Sequence, residues 1–265
     1  MFKTRLISGI VLVIVLIATV GIGGLLLYGV LLAASLIGLT ELYKVVRVQD
    51  KILGIVGYLA AIGYYVLLYL NKMEYVMPLA ILTLMLVMAV YVFAYPQFVA
   101  EQVTTVFFGV FYVAVMLSCV YLTRELPDGG VMVWLIFLSS WGCDTCAYCV
   151  GMLIGKHKMA PVLSPKKSVE GGIGGIVGAA LLGVIFALGM NHFADASVSP
   201  ALCGLICGVG GAISQIGDLS ASAIKRNHKI KDYGKLIPGH GGILDRFDSV
   251  IFTAPVIYYL TLFLG

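Results

Sequence analysis

A short polar segment near the C-terminus concentrates residues that can bind phosphate. Residues 222–248, SAIKRNHKIKDYGKLIPGHGGILDRFD, contain nine Asp, Lys and Arg residues, whereas only 11% of the whole chain is charged. Ionisable groups are costly to place beside hydrocarbon. We therefore expect this segment, here called the signature segment, to bind a charged ligand.

Lysines, arginines and glycines of two segments suit a nucleotide triphosphate. The glycines let backbone N–H groups approach an anion closely. The alternative is that the basic residues only set membrane topology or hold anionic headgroups, which leaves the interleaved Gly and Asp residues unexplained. The basic residues and glycines concerned are Lys166, Lys167, Lys225, Arg226, Lys231, Lys235, Gly239, Gly241, Gly242 and Arg246.

Two carboxylates at the end of the signature segment suit a divalent cation. Asp245 and Asp248 are three residues apart, so both would lie on one face of a helix. Mg²⁺ usually binds one or two carboxylates together with substrate phosphates and water. The alternative is that these acids only complement the dipole of a helix N-terminus.

Two further acids lie in apolar stretches. Asp144 and Asp218 are functional candidates because an unpaired acid in a membrane is so unfavourable. Ser214, Asp218, Ser222 and Lys225 share one helical face. The alternative is that each acid pairs with a basic residue and only stabilises helix packing.

His240 lies between glycines in the signature segment. We favour a binding or structural role for it over a role as general base, because a phosphomonoester is already largely ionised at neutral pH.

The composition predicts an all-α, polytopic integral membrane protein. The chain is 61% hydrophobic, with a mean hydropathy of +1.05. About nine apolar runs are long enough to cross a bilayer: 5–20, 23–40, 52–70, 76–94, 104–122, 131–154, 173–190, 200–219 and 249–264. We predict a single transmembrane domain over 1–265, with N-terminal helices of uncertain role in 1–125 and catalytic helices and site loops in 126–265.

Basic residues predict the orientation of these spans. With a cytoplasmic N-terminus, fifteen of the 17 Lys and Arg residues, including Lys3 and Arg5, fall on the cytoplasmic side. Only Lys72 and Arg124 fall on the other side, which is a strong positive-inside bias. The polar segments 155–172 and 220–248 would then share the cytoplasmic face, as one active site built from both requires.

The signature segment resembles that of the CTP-dependent phosphatidate cytidylyltransferases, also called CDP-diacylglycerol synthases. Two other segments, WGCDTCAYCVGMLIG (141–155) and SPKKSVEG (164–171), also resemble that family, so the resemblance covers roughly the C-terminal half. The matching signature residues are Ser222, Lys225, Arg226, Lys231, Asp232, Gly234, Ile237, Pro238, His240, Gly241, Gly242, Asp245, Arg246, Phe247 and Asp248.

The resemblance implies an enzyme that transfers the cytidylyl group of CTP to phosphatidate within a bacterial inner membrane. It implies Mg²⁺, a second, monovalent cation (K⁺) and a homodimer, with no nucleic-acid partner. The catalytic candidates are Asp144, Lys167, Asp218, Lys225, Asp245 and Asp248, of which Asp218, Asp245 and Asp248 would hold Mg²⁺. The substrate-binding candidates are Ser164, Lys166, Lys167, Ser168, Glu170, Ser222, Lys225, Arg226, Lys231, His240, Gly241, Gly242 and Arg246.

Two other functions stay open. A related enzyme could use CTP on a different lipid phosphate or phosphorylate a polyprenol, since nothing in the sequence reports lipid-tail preference. An ion-coupled transporter could use Asp144 and Asp218 in its pathway. Such transporters commonly have broken helices in related halves, a pattern that the sequence lacks, and this function leaves the Lys- and Gly-rich segment unexplained.

Overall fold

The computed structural model describes residues 2–264, apart from the side chains of residues 2–6, so the predicted cytoplasmic Lys3 and Arg5 lie outside the described side chains. Over this range the chain forms nine apolar helices. They are α1 Phe2–Ile22, α2 Gly24–Val45, α3 Ile52–Tyr69, α4 Met73–Phe93, α5 Ala100–Arg124, α6 Gly129–Ile154, α7 Val169–Phe193, α8 Pro200–Asn227 and α9 Leu244–Leu264.

These helices confirm the all-α, polytopic membrane class. Eight of them, α2 to α9, are long and apolar enough to cross a membrane, and the described part of α1 adds a shorter apolar helix, Ile7–Ile22. Large apolar side chains stay exposed at four-residue intervals along α7, at Ile173, Val177, Leu181 and Ile185. Such a face suits contact with lipid. The cytoplasmic position of the N-terminus stays a prediction.

A pair of glycines separates the first two helices. Gly23 and Gly24 have positive φ values of 69° and 52°, in the left-handed region that favours glycine. The helix therefore stops at Ile22 and restarts at Gly24. This break lies close to the predicted boundary between the runs 5–20 and 23–40.

A short β-hairpin interrupts the helical pattern between α6 and α7. Strand β1, Lys158–Ala160, pairs antiparallel with β2, Ser164–Ser168, in an irregular register. The sequence predicted this stretch only as a polar site loop. The hairpin presents Lys166 and Lys167 from a paired strand, which fixes their backbone more firmly than an open loop would.

The chain groups into two compact units, each formed by separate stretches of sequence. The first comprises residues 1–12, 28–118 and 232–245. Its core contains tyrosines whose hydroxyls are satisfied within the unit: Tyr43 donates to the Val106 carbonyl at 2.9 Å, and Tyr64 hydrogen-bonds Ser118 at 2.7 Å. These bonds meet the requirement that buried polar groups find partners.

The second unit comprises residues 13–27, 119–231 and 246–265. It contains α6, α7, α8, the hairpin and most of α9. Within α6 the stretch Leu138–Gly142 is π-helical and directly precedes the helical turn that carries Asp144. Such local widening of a helix often occurs at functional sites. The predicted single domain, with its division near residue 125, stays a prediction.

Small residues let the helices of the second unit approach closely. Gly171, Gly175, Ala179, Gly183 and Ala187 are all buried and are spaced four residues apart along α7. A Cβ atom at Gly175 would lie 2.9 Å from both the carbonyl oxygen and the sulfur of Cys143. Helix pairs in membranes commonly pack through such stripes of small residues. The stripe therefore sets how near the hairpin and its lysines lie to α6.

We expect Gly175→Ala to destabilise the protein by about 1–3 kcal/mol, because the added methyl group overpacks the contact with α6. Gly189→Ala on the same helix is the matched control, since a Cβ atom there has nothing within 4 Å. Thermal unfolding in detergent should show a lower Tm for Gly175→Ala and an unchanged or raised Tm for Gly189→Ala. Equal Tm values for the two variants would contradict this account of the packing.

Candidate active site

A cavity in the second unit gathers predicted site residues from three separate elements. It has a volume of ≈ 600 Å³ and is lined by α6, the hairpin strand β2 and the helices α7 and α8. Its polar lining combines lysines with carboxylates, as a site for a metal-bound polyphosphate requires. The predicted residues in its wall are Asp144, Ser164, Lys166, Lys167, Ser168 and Asp218.

An ion pair joins two walls of this cavity. The Lys167 ammonium on the hairpin contacts the Asp218 carboxylate on α8, and both side chains are about one-quarter exposed. Asp144 on α6 interacts electrostatically with both. The structure thus brings together three residues that are distant in sequence and were predicted as catalytic. The alternative interpretation, in which each acid pairs with a base to stabilise helix packing, accounts for the Lys167–Asp218 ion pair.

A second pair lies where α8 and α9 approach each other. The Lys225 ammonium is 3.9 Å from the Asp248 carboxylate, and both side chains are 12% exposed. The approach depends on Gly217, where a Cβ atom would lie 2.9 Å from the Asp248 carbonyl oxygen. Asp248 also interacts electrostatically with Asp218 and Asp144. Three acids and two lysines therefore form one charged cluster.

Arg246 adds a further positive charge to this cluster. It interacts electrostatically with Asp144, and its Nε atom is buried with no hydrogen-bond partner among the described residues. A buried hydrogen-bond donor without an acceptor is costly unless a ligand supplies the acceptor. The chemistry of this donor suits a phosphate oxygen.

The carboxylates of the cluster fit a hydrated cation better than a closed metal cage. Within residues 2–264, no group of three or more His, Cys, Asp or Glu side chains is arranged to hold a metal by itself. Mg²⁺ does not need such a group, because it keeps several waters and takes substrate oxygens as ligands. Asp218 and Asp248, with Asp144 as their electrostatic neighbour, are the residues that could hold it.

Asp245, the third predicted metal ligand, belongs to the first unit. It is buried, and its Oδ2 accepts hydrogen bonds from the backbone N–H groups of Tyr233 at 2.8 Å and Gly242 at 3.0 Å. These bonds fold the second half of the signature segment back on itself. A metal role for Asp245 stays a prediction.

The PGHGG turn is also in the first unit. Gly239 and Gly241 have positive φ values of 80° and 87°, which close the turn between Ile237 and Gly241. The His240 ring nitrogen Nδ1 is 2.9 Å from the Ser8 hydroxyl, which also donates to the Pro238 carbonyl. The structure therefore gives His240 a contact that fixes the turn, and its role toward substrate stays a prediction.

The remaining predicted binding residues lie along the same segments. Ser222 is half-buried one turn after Asp218 on α8, and Arg226 is exposed near the end of that helix, where it donates to the Ile230 carbonyl at 3.4 Å. Lys231 is exposed in the connection that follows, and Gly242 is buried. Their contacts with substrate stay predictions.

Glu170 lies in the first turn of α7, directly after the hairpin strand that carries Lys166 and Lys167. Its carboxylate accepts hydrogen bonds from the Lys156 and His157 backbone N–H groups and contacts the His157 ring at 2.5 Å. Ser168 caps α7 by accepting from the Gly171 N–H group at 3.1 Å. The two residues together close the hairpin against the start of α7, so Glu170 is placed to position the site lysines. Direct substrate binding by Glu170 stays a prediction.

Sequence reasoning missed several residues of the cavity wall. Gln215 is buried, and its amide donates to the Gly172 carbonyl at 2.9 Å, which ties α8 to α7. It lies three residues before Asp218, so its place on the polar face of α8 was a usable signal. Tyr148, Met152 and Met159 form a less polar part of the wall. Tyr148 and Met152 lie in the family-like segment 141–155 but were not named as site residues, and Met159 lies outside the matching segments.

The fold and the charged cavity define a polytopic membrane protein with a polar cavity among its helices. A model of the cytidylyltransferase family matches residues 3–264, which is nearly the whole chain. The chain therefore belongs to the cytidylyltransferase family and is a nucleotidyltransferase.

Individual relatives carry a more specific name. The chain is 32% identical to the phosphatidate cytidylyltransferase of Staphylococcus saprophyticus, over 97% of this chain and 98% of that protein. It is 33% identical to the enzyme of the same name from Staphylococcus epidermidis, with the same coverage. Over a shorter stretch, 53% of this chain, it is 41% identical to the phosphatidate cytidylyltransferase of a Synechocystis species.

We expect Glu170→Gln to loosen the hairpin, because the neutral amide weakens the contact with the His157 ring and provides only one acceptor atom for the hairpin backbone. Trypsin should cleave the variant several-fold faster at Lys156, Lys158, Lys166 or Lys167. Glu125→Gln, at an exposed acid in the connection between α5 and α6, is the control and should be cleaved at the unaltered rate. Equal cleavage of the two variants would show that Glu170 does not hold the hairpin.

Proposed function

We propose that this protein transfers the cytidylyl group of CTP to phosphatidate, giving CDP-diacylglycerol and pyrophosphate. The proposal rests on family membership, on the names of full-length relatives and on the charged cavity. The observation that carries it is the meeting of Lys167, Asp218 and Asp144 from three elements in one cavity beside an apolar wall. Such a site can hold a polyphosphate and a lipid phosphate together.

The reaction needs positioned charge more than proton transfer. An oxygen of the phosphatidate phosphate forms a bond to the α-phosphorus of CTP, and the bond from that phosphorus to the oxygen bridging to the β-phosphate breaks. The electron pair of that bond leaves with pyrophosphate. Lys167, Lys166 and Lys225 hold phosphate oxygens, and Arg246 offers its buried Nε–H to one of them. Fixed positive charge aimed at developing negative charge is the main source of rate enhancement in such transfers.

The acids have the complementary task of holding a cation. Asp218 and Asp248 would hold Mg²⁺, which when bound neutralises charge on the triphosphate and the transferring group. Asp144 sets the orientation of the Lys167 ammonium and is the residue placed to take part in binding a second, monovalent cation such as K⁺.

The proposed substrates differ in where they reside. Phosphatidate stays in the bilayer because each buried CH₂ contributes about 0.8 kcal/mol, whereas CTP stays in water. Tyr148 and Met152, which are exposed and line the cavity, offer an apolar surface for the upper part of the acyl chains. The lysines of the hairpin face the nucleotide. We place this site at the cytoplasmic face of the bacterial inner membrane, on the basis of the positive-inside bias.

A homodimer is part of the proposal on the strength of the family resemblance alone. Mass measurement of the purified protein in detergent or nanodiscs, at several protein concentrations, tests it. A persistent dimer supports the proposal, and a monomer that is fully active contradicts it.

The direct test of the reaction uses CTP labelled at the α-phosphate. We expect the purified protein, in micelles that contain phosphatidate, to move label into the lipid phase and release pyrophosphate when Mg²⁺ is present, and to stop when EDTA is added. Label that stays in water while CTP is consumed would contradict cytidylyl transfer and favour a kinase-type reaction. If neither CTP nor phosphatidate is consumed, both the cytidylyl transfer and the kinase-type reaction are contradicted. Ion uptake into proteoliposomes would then favour the transporter.

The metal-binding role of the acids predicts a matched set of variants. Asp218→Asn and Asp248→Asn should each lower kcat by about 100-fold or more, since removal of one electrostatic element of this kind typically has that effect. Asp195→Asn, at an exposed acid between α7 and α8, is the control and should retain full activity. Full turnover by a folded Asp248→Asn protein would refute the assignment of Asp248.

A further inference from the structure

Glu41 is a buried carboxylate in the apolar helix α2 that no part of the proposed reaction uses. The residue is 4% exposed. It lies in the N-terminal half of the chain, and none of the described residues of that half lines the charged cavity. A buried acid in a membrane protein needs compensation from nearby donors. Its partners therefore indicate why the acid is there.

The partners of Glu41 are the first backbone groups of the last helix. Its Oε1 accepts a hydrogen bond from the Ile243 N–H group at 3.1 Å, and its Oε2 accepts one from the Leu244 N–H group at 2.8 Å. Leu244 is the first residue of α9. The initial N–H groups of a helix have no partner within it, and a negative charge there also complements the helix dipole. Glu41 thus caps α9 from a helix about 200 residues away in sequence.

Two glycines of the signature segment make room for this carboxylate. A Cβ atom at Gly234 or at Gly242 would overlap the Glu41 carboxylate. Neither glycine has a positive φ, so their backbone conformation does not require glycine. Close approach to Glu41 supplies the reason for both.

Glu41 acts alongside Asp245, which holds the neighbouring backbone groups. Asp245 accepts from Tyr233 and Gly242, and Glu41 accepts from Ile243 and Leu244. The two carboxylates thereby satisfy four backbone N–H groups across residues 233–244. One of these acids lies within the segment, whereas the other comes from α2 and anchors it to the N-terminal half.

We propose that Glu41 is a positioning residue, which fixes the end of the signature segment and the start of α9 and so sets the position of Asp248 one turn further along that helix. The inference rests on the proposed cytidylyl transfer only for its kinetic consequence. It assigns to the N-terminal helices a role in the reaction that the sequence left undefined. A purely structural role would stabilise the whole protein without a particular effect on this segment.

The test compares Glu41→Gln with Glu74→Gln, a control at an exposed acid in the first turn of α4. Gln is almost the same size as Glu but can accept only through its carbonyl oxygen, so one of the two N–H groups loses its acceptor. We expect faster hydrogen–deuterium exchange in peptides that cover residues 233–244, with unaltered exchange in the hairpin 158–168. We also expect kcat for cytidylyl transfer to fall at least tenfold, with KM for CTP and for phosphatidate changed less than threefold. Glu74→Gln should match the unmodified protein in every measurement.

Gly234→Ala perturbs the contact between Glu41 and the signature segment from the side of the segment. It replaces Glu41→Gln in the test if that variant does not fold. It should raise exchange in the same peptides and lower kcat in the same way. Unaltered exchange over 233–244, or full kcat, in the folded variants would overturn the proposal. Faster exchange throughout the protein together with a lower Tm would also overturn it, in favour of a global structural role. If the unmodified protein transfers no label to lipid, the proposed reaction fails, while the exchange measurement still decides whether Glu41 holds the segment.

Discussion

Compensation of charge inside an apolar protein is the constraint on which the rest of this structure depends. In the charged cluster Asp218 contacts Lys167 and Asp248 lies beside Lys225, and within the signature segment Asp245 accepts from backbone N–H groups. An unpaired charge would be too costly at these positions. The helices must therefore approach one another where the charges lie, and small residues such as Gly217 and Gly175 permit that approach.

Helix ends and short irregular elements convert this packing into a site. The hairpin brings Lys167 to the side of α8, with Glu170 and Ser168 at its base. The π-helical stretch of α6 directly precedes the turn with Asp144. Regular transmembrane helices satisfy their own backbone hydrogen bonds and leave few polar groups free to bind a ligand. The polar groups of the site are therefore concentrated where helices end or change geometry.

Hydropathy and motif together predicted much of this arrangement. The nine apolar runs correspond to the nine helices of the described chain, and the break near Gly23 falls within two residues of its predicted position. Asp144, Lys167 and Asp218 were all identified from residue type and context, and they meet in one cavity. Asp245 was grouped with Asp248 from their spacing, yet spacing alone does not report that the Asp245 carboxylate is already engaged by Tyr233 and Gly242.

The sequence by itself determined the membrane class, the approximate spans and the types of side chain at the site, because hydropathy and residue identity can be read directly from the order of the residues. Only the tertiary structure decided which charges meet. Glu41 and Ile243 are 202 residues apart, and Gln215 contacts α7 through a bond that no local pattern encodes. Such contacts arise from the packing of helices against one another, and the periodicity of one helix specifies which face is polar but not which partner that face will find.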